Sequence, residues 1–271
     1  MQFDRHNQPF IRVPHSQSQL ILTPPRLTDS EAVFAILNDR RVYMNLLGPP
    51  FPYTQRDWDD WFPTISKTAA DALSEYTEAE KVRQAGNGTT QKWVSTGLPV
   101  MAIREVSEDT GDMTFLGEIN IRRRAFLTVL DEDERKRMKD GNDSFAPGDP
   151  RIQWEVGCKF PIHLGRSSLL PPQDLFLTGL LVYLSPSAHG RGIMPAVLQV
   201  LLDTFLIPYM NVHHITGAYF EHNRASRRVF EKTGFVLEKV VPEAIELPET
   251  KTGVKGQKVG VGIMGWDWQR R

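Results

Sequence analysis

Residues 189–194 form a short glycine-containing turn where an apolar strand is expected to meet a long apolar helix that begins at about Met194. They read His189-Gly190-Arg191-Gly192-Ile193-Met194. Backbone N–H groups at the start of a helix lack partners within the helix, and the helix dipole favours negative charge there. Glycine lets a ligand approach the backbone closely. The turn therefore predicts a phosphate site, with Arg191 adding a positive charge; a strand–turn–helix joint without a ligand is the alternative.

A second polar segment, residues 223–235, reads Asn-Arg-Ala-Ser-Arg-Arg-Val-Phe-Glu-Lys-Thr-Gly-Phe. Asn223 is a favourable helix N-cap, and Gly234 is a favourable residue just after a helix end. Helical spacing places four side chains of this segment on one face, namely Asn223, Ser226, Arg227 and Phe230. The segment therefore predicts a helix with one face available to a ligand.

Together the two segments resemble the GNAT superfamily of acyl-CoA-dependent N-acyltransferases. The family's turn signature, Gln/Arg-x-x-Gly-x-Gly/Ala, is kept at Gly192 and departs at His189 and Met194. Its second signature, Asn-x-x-Ser-x-x-x-Tyr/Phe-x-Lys-x-Gly-Phe, is met by Asn223, Ser226, Phe230, Lys232, Gly234 and Phe235. The resemblance implies an α/β (α+β) fold in one domain, with a mixed, mostly antiparallel central sheet flanked by helices, and acetyl-CoA as the cofactor.

The resemblance also implies how acetyl-CoA is held. The pantetheine arm would lie along the backbone of Val182 and Leu184, on a strand that separates from its neighbour. Ser226 would bond the pantetheine, and Phe230 would border the thioester. Beside them, Arg224, Arg227 and Arg228 form a local basic cluster able to meet the 3′-phosphate; a solvated helix face is the alternative for at least one of them. The expected cofactor-binding residues are Val182, Leu184, His189, Gly190, Arg191, Gly192, Ile193, Met194, Asn223, Ser226, Arg227 and Phe230.

Proton transfer is the part of the chemistry that the resemblance leaves open. A general base must take a proton from the acceptor ammonium, and Glu118 and Glu155 are the candidates on neighbouring strands; an ordinary paired carboxylate is the alternative for each. Asn223 is a third catalytic candidate by resemblance, although capping alone explains an Asn there. Many relatives carry Tyr at the position of Phe230, where the hydroxyl can protonate the departing thiolate. Tyr183 and Tyr219 are the possible substitutes.

The composition is that of an ordinary globular protein, with 271 residues, 40% hydrophobic and 24% charged, and a net charge of −1. This charge predicts no nucleic-acid partner. The single cysteine, Cys158, excludes an internal disulfide framework and favours a reducing, cytoplasmic setting. No His, Asp or Glu spacing predicts a metal site. No uninterrupted apolar run long enough to cross a bilayer is present, so no membrane partner is expected.

The chain is expected to have a polar N-terminal arm over residues 1–19 and one domain over 20–271, with insertions near 67–95 and 125–174. The charged run 131–140 is interpreted as a solvated surface. Strands are expected at 20–23, 99–106, 113–122, 151–160, 175–184, 214–220, 236–245 and 258–268, and helices at 194–206 and 223–233.

Residues 20–62 resemble the start of the Rim-type branch of the superfamily, which acetylates protein N-termini. The predicted function is transfer of the acetyl group of acetyl-CoA to a primary amine by direct attack in a ternary complex, with a protein or peptide N-terminus as a possible acceptor. A small-molecule amine acetyltransferase is one alternative. A catalytically silent acyl-CoA-binding regulatory module and a fold without any CoA site are the others. The oligomeric state is not predicted.

Overall fold

The computed structural model describes residues 1–86, 90–129, 131–157 and 182–270. Its strands are β1 (Gln2–Phe3), β2 (Pro9–Val13), β3 (Gln19–Thr23), β4 (Ala102–Val106), β5 (Met113–Glu118), β6 (Ile121–Arg123), β7 (Gln153–Val156), β8 (Tyr183–Leu184), β9 (His214–Phe220), β10 (Val236–Glu246) and β11 (Lys258–Asp267). Its α-helices are α1 (Ser30–Leu37), α2 (Arg40–Tyr43), α3 (Gln55–Ala85), α4 (Glu132–Asp143), α5 (Ile193–Leu201), α6 (Ile207–Met210), α7 (Arg224–Lys232) and α8 (Glu249–Thr252). Cys158, most of the strand expected at 175–184 and part of the expected insertion 125–174 lie outside the described residues.

Hydrogen bonds join the strands into two sheets, in the orders β1-β2-β3-β4-β5-β8 and β10-β11-β9-β7-β6. Every ladder of the described strands is antiparallel except that between β7 and β9, which is parallel. Helix α1 packs against β5, α5 against β2 and α7, and α7 also against β9. The fold is therefore the mixed, mostly antiparallel α/β arrangement that the sequence predicts, with the sheet divided in two.

β7 and β8 lie end to end, each beside one of the consecutive strands β6 and β5. β8 pairs with the end of β5, and β7 pairs with β6, the next strand along the chain. Extending each ladder by one residue would place Val182 opposite Ile119 and Gly157 opposite Asn120. Gly157 and Val182 therefore lie opposite neighbouring residues of the adjacent chain, Asn120 and Ile119, although residues 158–181 separate them in sequence.

The two sheets part between β7 and β8. β7 pairs with the first half of β9, as far as Val156 opposite Gly217. Within the described residues β8 pairs only with β5, so no ladder joins Tyr183 and Leu184 to β9. We call this opening between β8 and the second half of β9, residues 218–220, the fork. It is the strand separation that the family resemblance implies for the strand ending at Leu184.

The helical segment Ile193–Met210 comprises α5, a π-helical turn at Leu202–Leu206, and α6. By length and composition it could cross a membrane, although Gln199 and Asp203 interrupt its apolar run. Half of it is buried inside the protein, where Val197, Leu201 and Phe205 contribute to the main core. Packing in the core accounts for its apolar composition.

The expected polar arm contributes to the sheet. Pro9–Val13 forms β2, which pairs with β3, and its Ile11 and Val13 are buried in the main core. In this segment only Arg12 is polar, so the sequence shows no regular apolar–polar alternation that would predict a strand, although burial does alternate along it. The limits of the arm and of the domain otherwise stay a prediction.

Each of the two expected insertions includes a stretch of helix. Residues 67–85 are the second half of α3, whose Ala72 and Tyr76 lie in the main core, and Gly86 ends that helix with a φ of +64°. The charged run 131–140 lies mostly on α4, whose only buried residue is Asn142. Residues 67–85 look polar along the sequence, but Ala72 and Tyr76 lie on one face of the helix and pack into the main core.

Candidate active site

The glycine turn, residues 189–194, is an open cradle at the start of α5. Gly192 occupies the N-cap position with a φ of +78°, and Gly190 has a φ of +74°. Side chains rarely adopt these angles, and the space that a Cβ would enter at either glycine is open to 4 Å. The backbone N–H groups from Gly190 to Met194 have no hydrogen-bond acceptor in the described part of the chain. These donors can hold a phosphate.

The two basic side chains of the turn have protein partners. His189 Nε2 lies 3.0 Å from the carbonyl oxygen of Leu184. The Arg191 guanidinium donates to Ser18 Oγ at 2.6 Å and forms an ion pair with Glu105. The sequence predicts that the Arg191 charge binds phosphate, whereas in the structure that charge is paired with Glu105. The backbone is the part of the turn that remains open to a phosphate.

Helix α7 begins beside the fork, as predicted. Asn223 is its N-cap, and its Oδ1 accepts a hydrogen bond from the Ser226 backbone N–H at 3.1 Å. Ser226 is half-buried, whereas Arg227 is exposed and donates to Glu231 at 2.7 Å. The Asn223 side chain therefore caps the helix, while the charge of Arg227 is paired with Glu231.

Phe230 packs on β9 where the two sheets part. Its ring lies over Gly217, where an added Cβ would collide with it, and its centroid is 5.1 Å from that of Phe235. The side chain is buried in the main core. Of the two tyrosines weighed as substitutes for the missing hydroxyl, Tyr219 interacts with Arg227, whereas the Tyr183 hydroxyl hydrogen-bonds to Glu118.

Glu118 ends β5 directly opposite Tyr183, and it is only 5% exposed. Burial, reinforced by the negative charge of Asp29, raises the pKa of its carboxyl to about 8, although the hydrogen bond from Tyr183 acts in the opposite direction. Its Oε1 has no hydrogen-bond partner among the described residues. A carboxyl with a free oxygen and a pKa near neutrality suits a general base.

The charge of Asp29 is fixed by a buried ion pair that the sequence analysis did not predict. Both carboxylate oxygens of Asp29 accept from Arg104 at 2.8 Å, and Arg104 Nε donates to Thr23 Oγ1 at 2.7 Å. The Asp29 and Arg104 side chains are 5% and 3% exposed. This arrangement holds a negative charge near Glu118 in a dry environment, where electrostatic effects are strong.

Glu155, the other candidate base, is already paired. It lies on β7 and forms an ion pair with Arg122 of β6, the residue opposite it in the ladder. It also accepts from the Ala125 backbone N–H at 3.3 Å. Both of its carboxylate oxygens therefore already accept hydrogen bonds, Oε1 from Arg122 and Oε2 from Ala125. The geometry thus separates the two candidates, and Glu118 is the one with an available oxygen.

Three aromatic side chains near α1 and α3 carry buried polar atoms without partners. Tyr53 Oη, Trp58 Nε1 and Trp61 Nε1 have no hydrogen-bond acceptor within the described ranges. Tyr53 lies close enough to Glu118 for their charges to interact, and the pKa of Tyr53 is raised by burial and by Asp57 and Glu118. Buried polar atoms are normally paired, so these three groups are available to hydrogen-bond a bound molecule or water.

A family model described as an acetyltransferase (GNAT) domain matches residues 101–236. That span includes β5 with Glu118, the glycine turn and α7. The chain belongs to the GNAT acetyltransferase family. It is accordingly an acyltransferase, and its cofactor is acetyl-CoA. No curated protein sequence matches the chain.

Solved structures with the same fold include other acetyltransferases. A probable acetyltransferase is 12% identical, with 96% of this chain and 99% of that chain covered and a TM-score of 0.53. The ribosomal L7/L12 alpha-N-protein acetyltransferase RimL, solved with coenzyme A, is 14% identical, with 96% of this chain and 100% of that chain covered and a TM-score of 0.50. At these identities the likeness establishes the GNAT fold.

The GNAT cofactor fits the open cradle. Its pyrophosphate requires clustered donors at close range. The backbone N–H groups from Gly190 to Met194 have no partner among the described residues, and no Cβ is in the way at either glycine. The sequence predicts this turn because its residues are contiguous. The Asp29–Arg104 ion pair was not predicted, since its two residues come from separate segments and no short motif connects them.

Proposed function

We propose that this GNAT enzyme transfers the acetyl group of acetyl-CoA to the α-amine of a protein or peptide N-terminus, by direct attack in a ternary complex. The observation that carries the proposal is the Glu118 carboxyl, buried beside Tyr183 with one free oxygen and a pKa raised to about 8. Bound acetyl-CoA supplies the activated acetyl thioester. The chain's own residues bind the two substrates and move the protons.

The glycine turn is proposed to hold the pyrophosphate through the N–H groups of Gly190, Arg191, Gly192, Ile193 and Met194. Val182 and Leu184 lie at the edge of the fork, where a pantetheine arm would pass, although His189 already contacts the carbonyl of Leu184. Asn223 and Ser226 would border the arm from the start of α7. This assignment relies on backbone donors rather than on Arg191 or Arg227, because both guanidinium groups are paired.

Glu118 is the proposed general base. Its Oε1 accepts a proton from the acceptor ammonium and leaves the amine neutral and nucleophilic. Burial raises the pKa of the Tyr183 phenol, so this group keeps its proton. Its Oη would provide the donor that the family's Tyr provides at the position of Phe230, and the Glu118 carboxyl beside it can return a proton. Cys158 has no part in this scheme.

The pKa of Glu118 favours an α-amine over a side-chain amine. An α-ammonium has a pKa of about 7.7–8.0, whereas a lysine ammonium has a pKa of about 10.4. Transfer to a carboxylate with a pKa of about 8 is therefore nearly balanced for the former. For the latter it is uphill by roughly two pKa units, which is about 3 kcal/mol.

The unpaired aromatic donors favour the same class of acceptor. Tyr53 Oη, Trp58 Nε1 and Trp61 Nε1 are groups that donate hydrogen bonds, and carbonyl oxygens are their natural partners. A peptide N-terminus presents its amine next to backbone carbonyls. A polyamine presents no carbonyl and would need carboxylates spaced along its length. We therefore place the first residues of a peptide acceptor beside Tyr53 and Trp58.

The cofactor assignment is tested by thermal unfolding with and without acetyl-CoA. A ligand at about 100 times its Kd that binds only the folded protein adds roughly 2.7 kcal/mol, a shift that is readily measured. Gly192→Trp fills the cradle and should remove the shift. Equal shifts in both proteins would place the cofactor elsewhere and overturn the assignment.

The acceptor assignment is tested by acetyl transfer to matched peptides. One peptide carries a free α-amine, a second is blocked at its N-terminus and contains a lysine, and a small diamine and a polyamine complete the panel. Turnover of the first peptide alone supports the proposal. Turnover confined to the small amines would establish the small-molecule alternative, and acetyl-CoA binding without turnover of any acceptor would establish the silent module.

A further inference from the structure

Arg191 lies in the glycine turn, but its side chain points to the N-terminal hairpin and β4 instead of to a phosphate. Its guanidinium contacts both oxygens of Glu105, with Nη1 at 3.3 Å from Oε2, and donates from Nη2 to Ser18 Oγ at 2.6 Å. Ser18 belongs to the loop between β2 and β3, and Glu105 belongs to β4. The turn is thus tied to the loop between β2 and β3 and to β4.

The backbone of the same residue is held as well. His15, in the loop between β2 and β3, places its Nε2 at 2.8 Å from the Arg191 carbonyl oxygen. A carbonyl only accepts, so this contact requires a hydrogen on Nε2. Side chain and main chain of Arg191 are therefore both fixed, between two glycines whose backbone would otherwise be mobile.

The Arg191–Glu105 ion pair is partly shielded from water. Its two side chains are 29% and 30% exposed, so water screens them only in part. The pKa of Glu105 is lowered by the hydrogen bond from Arg191, and also by the Ser18 hydroxyl and the charges of Arg191 and His15. Glu105 therefore stays ionised at neutral pH and keeps Arg191 engaged.

We infer that Arg191 is a positioning residue. Together with Glu105, Ser18 and His15 it forms a clamp that holds the N–H groups of the glycine turn in the geometry that binds the cofactor. This inference rests on the proposed cofactor site. It differs from the sequence-based expectation in that Arg191 acts on the cofactor through the backbone and makes no phosphate contact. It also gives the N-terminal segment, expected to be a polar arm, a role in cofactor binding.

Calorimetric titration with acetyl-CoA distinguishes a clamp from a direct phosphate contact, because the two roles predict different effects of Glu105→Gln on acetyl-CoA affinity. If Arg191 is a clamp, Glu105→Gln and Arg191→Gln each weaken acetyl-CoA binding, by about tenfold, and the double variant is no weaker than the worse single one. If Arg191 contacts a phosphate directly, Arg191→Gln weakens binding, whereas Glu105→Gln frees the guanidinium and leaves binding unchanged or tighter. That second pattern would overturn the inference.

Steady-state kinetics provide a readout that a merely structural role would not move. The clamp predicts a raised KM for acetyl-CoA, with kcat and the acceptor KM unchanged, in both single variants. Lys136→Gln, which breaks the exposed Lys136–Asp140 pair on α4, is the control and should change none of these values. A lowered melting temperature with an unchanged acetyl-CoA Kd in the folded Glu105→Gln protein would also overturn the inference.

Gly192→Trp separates this inference from the proposed function. If it abolishes acetyl-CoA binding while Glu105→Gln and Arg191→Gln bind normally, the cofactor site stands and the clamp is wrong. If Gly192→Trp binds acetyl-CoA like the parent, the glycine turn is not the cofactor site, and both conclusions fail.

Discussion

Arg104 and Glu105 are neighbours on β4, yet each supports a different side of the enzyme. Because successive strand residues face opposite sides of a sheet, Arg104 points toward α1 and binds Asp29, whereas Glu105 points toward the glycine turn and binds Arg191. The first pair is 3% and 5% exposed, and the second is 29% and 30% exposed. β4 therefore carries a buried ion pair near the proposed base on one face and a partly exposed ion pair beside the glycine turn on the other.

This difference separates two ways of building a site. On the cofactor side the ligand-binding groups are backbone donors, and side chains only hold the backbone in place. On the Glu118 side the working group is a side chain, and its properties come from what surrounds it: burial, the charge of Asp29 and the hydroxyl of Tyr183. Substitutions on the second side should therefore change catalysis and pH dependence, whereas those on the first should change cofactor affinity.

The largest effect is expected for Glu118→Gln. The amide cannot accept the proton of the ammonium, so kcat should fall by about 100- to 10,000-fold, the usual contribution of a general base. Acetyl-CoA affinity should stay near that of the parent. Single-turnover acetyl transfer to the α-amine peptide measures the loss.

Glu155→Gln is the matched control for this prediction. It makes the same substitution at a strand position whose carboxylate is paired with Arg122. We expect a small loss of kcat from that variant. If Glu155→Gln lost more activity than Glu118→Gln, the roles of the two residues would have to be exchanged.

The two ion pairs of β4 should differ sharply in stability. Arg104→Met leaves the Asp29 carboxylate buried without a counter-charge, and losing one partner of a buried pair costs about 3–5 kcal/mol. Glu105→Gln breaks a partly exposed pair and should cost less than about 1 kcal/mol. Urea unfolding of the two variants measures the difference. Equal losses would mean that Arg104 is not in the dry environment described here.

The sequence predicts the two helix starts at Gly192 and Asn223 well and the surroundings of Glu118 poorly, for a physical reason. The glycine turn and the Asn223 cap are contiguous signals, because a helix start is built from residues next to one another. The surroundings of Glu118 bring together Asp29, Tyr53 and Tyr183 from distant segments. A carboxylate can be proposed there from its strand alone, but its pKa depends on contacts that no short pattern contains.

The same limit applies to the partners of Arg191 and to the relation between β7 and β8. An arginine between two glycines suits a phosphate, and nothing near it in sequence indicates Glu105, which lies on β4. The alignment of β8 with β7 follows only from the ladder registers of the described residues. The strands and helices predicted between residues 193 and 268 were confirmed, because the hydrophobic patterns of these segments are long and regular.

Tyr183→Phe should change the pH dependence of the reaction. In the parent, kcat/KM should rise with pH as Glu118 loses its proton, with a midpoint at about 8. The hydrogen bond from Tyr183 lowers the pKa of Glu118, so its removal should move this rise to higher pH. We expect a loss of about tenfold in kcat/KM at neutral pH, recovered in part under alkaline conditions. A pH profile that stays in place would exclude Tyr183 as the partner of the base.

The smallest effect is expected for Tyr53→Phe, and it should appear only in the acceptor KM. Tyr53 Oη is buried and unpaired among the described residues, so its loss should leave the melting temperature unchanged or slightly higher. If the hydroxyl donates to an acceptor carbonyl, the peptide KM should rise by about 3- to 10-fold, as for one lost hydrogen bond. Initial rates against peptide concentration measure this change.

Tyr76→Phe makes the same chemical change where the hydroxyl is already hydrogen-bonded, to Tyr209 in the core between α3 and α6. It should lower the melting temperature and leave the peptide KM unchanged, the reverse of Tyr53→Phe. The two variants together therefore test whether an unpaired buried hydroxyl serves binding and a paired one serves stability. A peptide KM unaffected by Tyr53→Phe would mean that the acceptor does not reach the aromatic cluster, and the argument from unpaired donors for a peptide substrate would be lost.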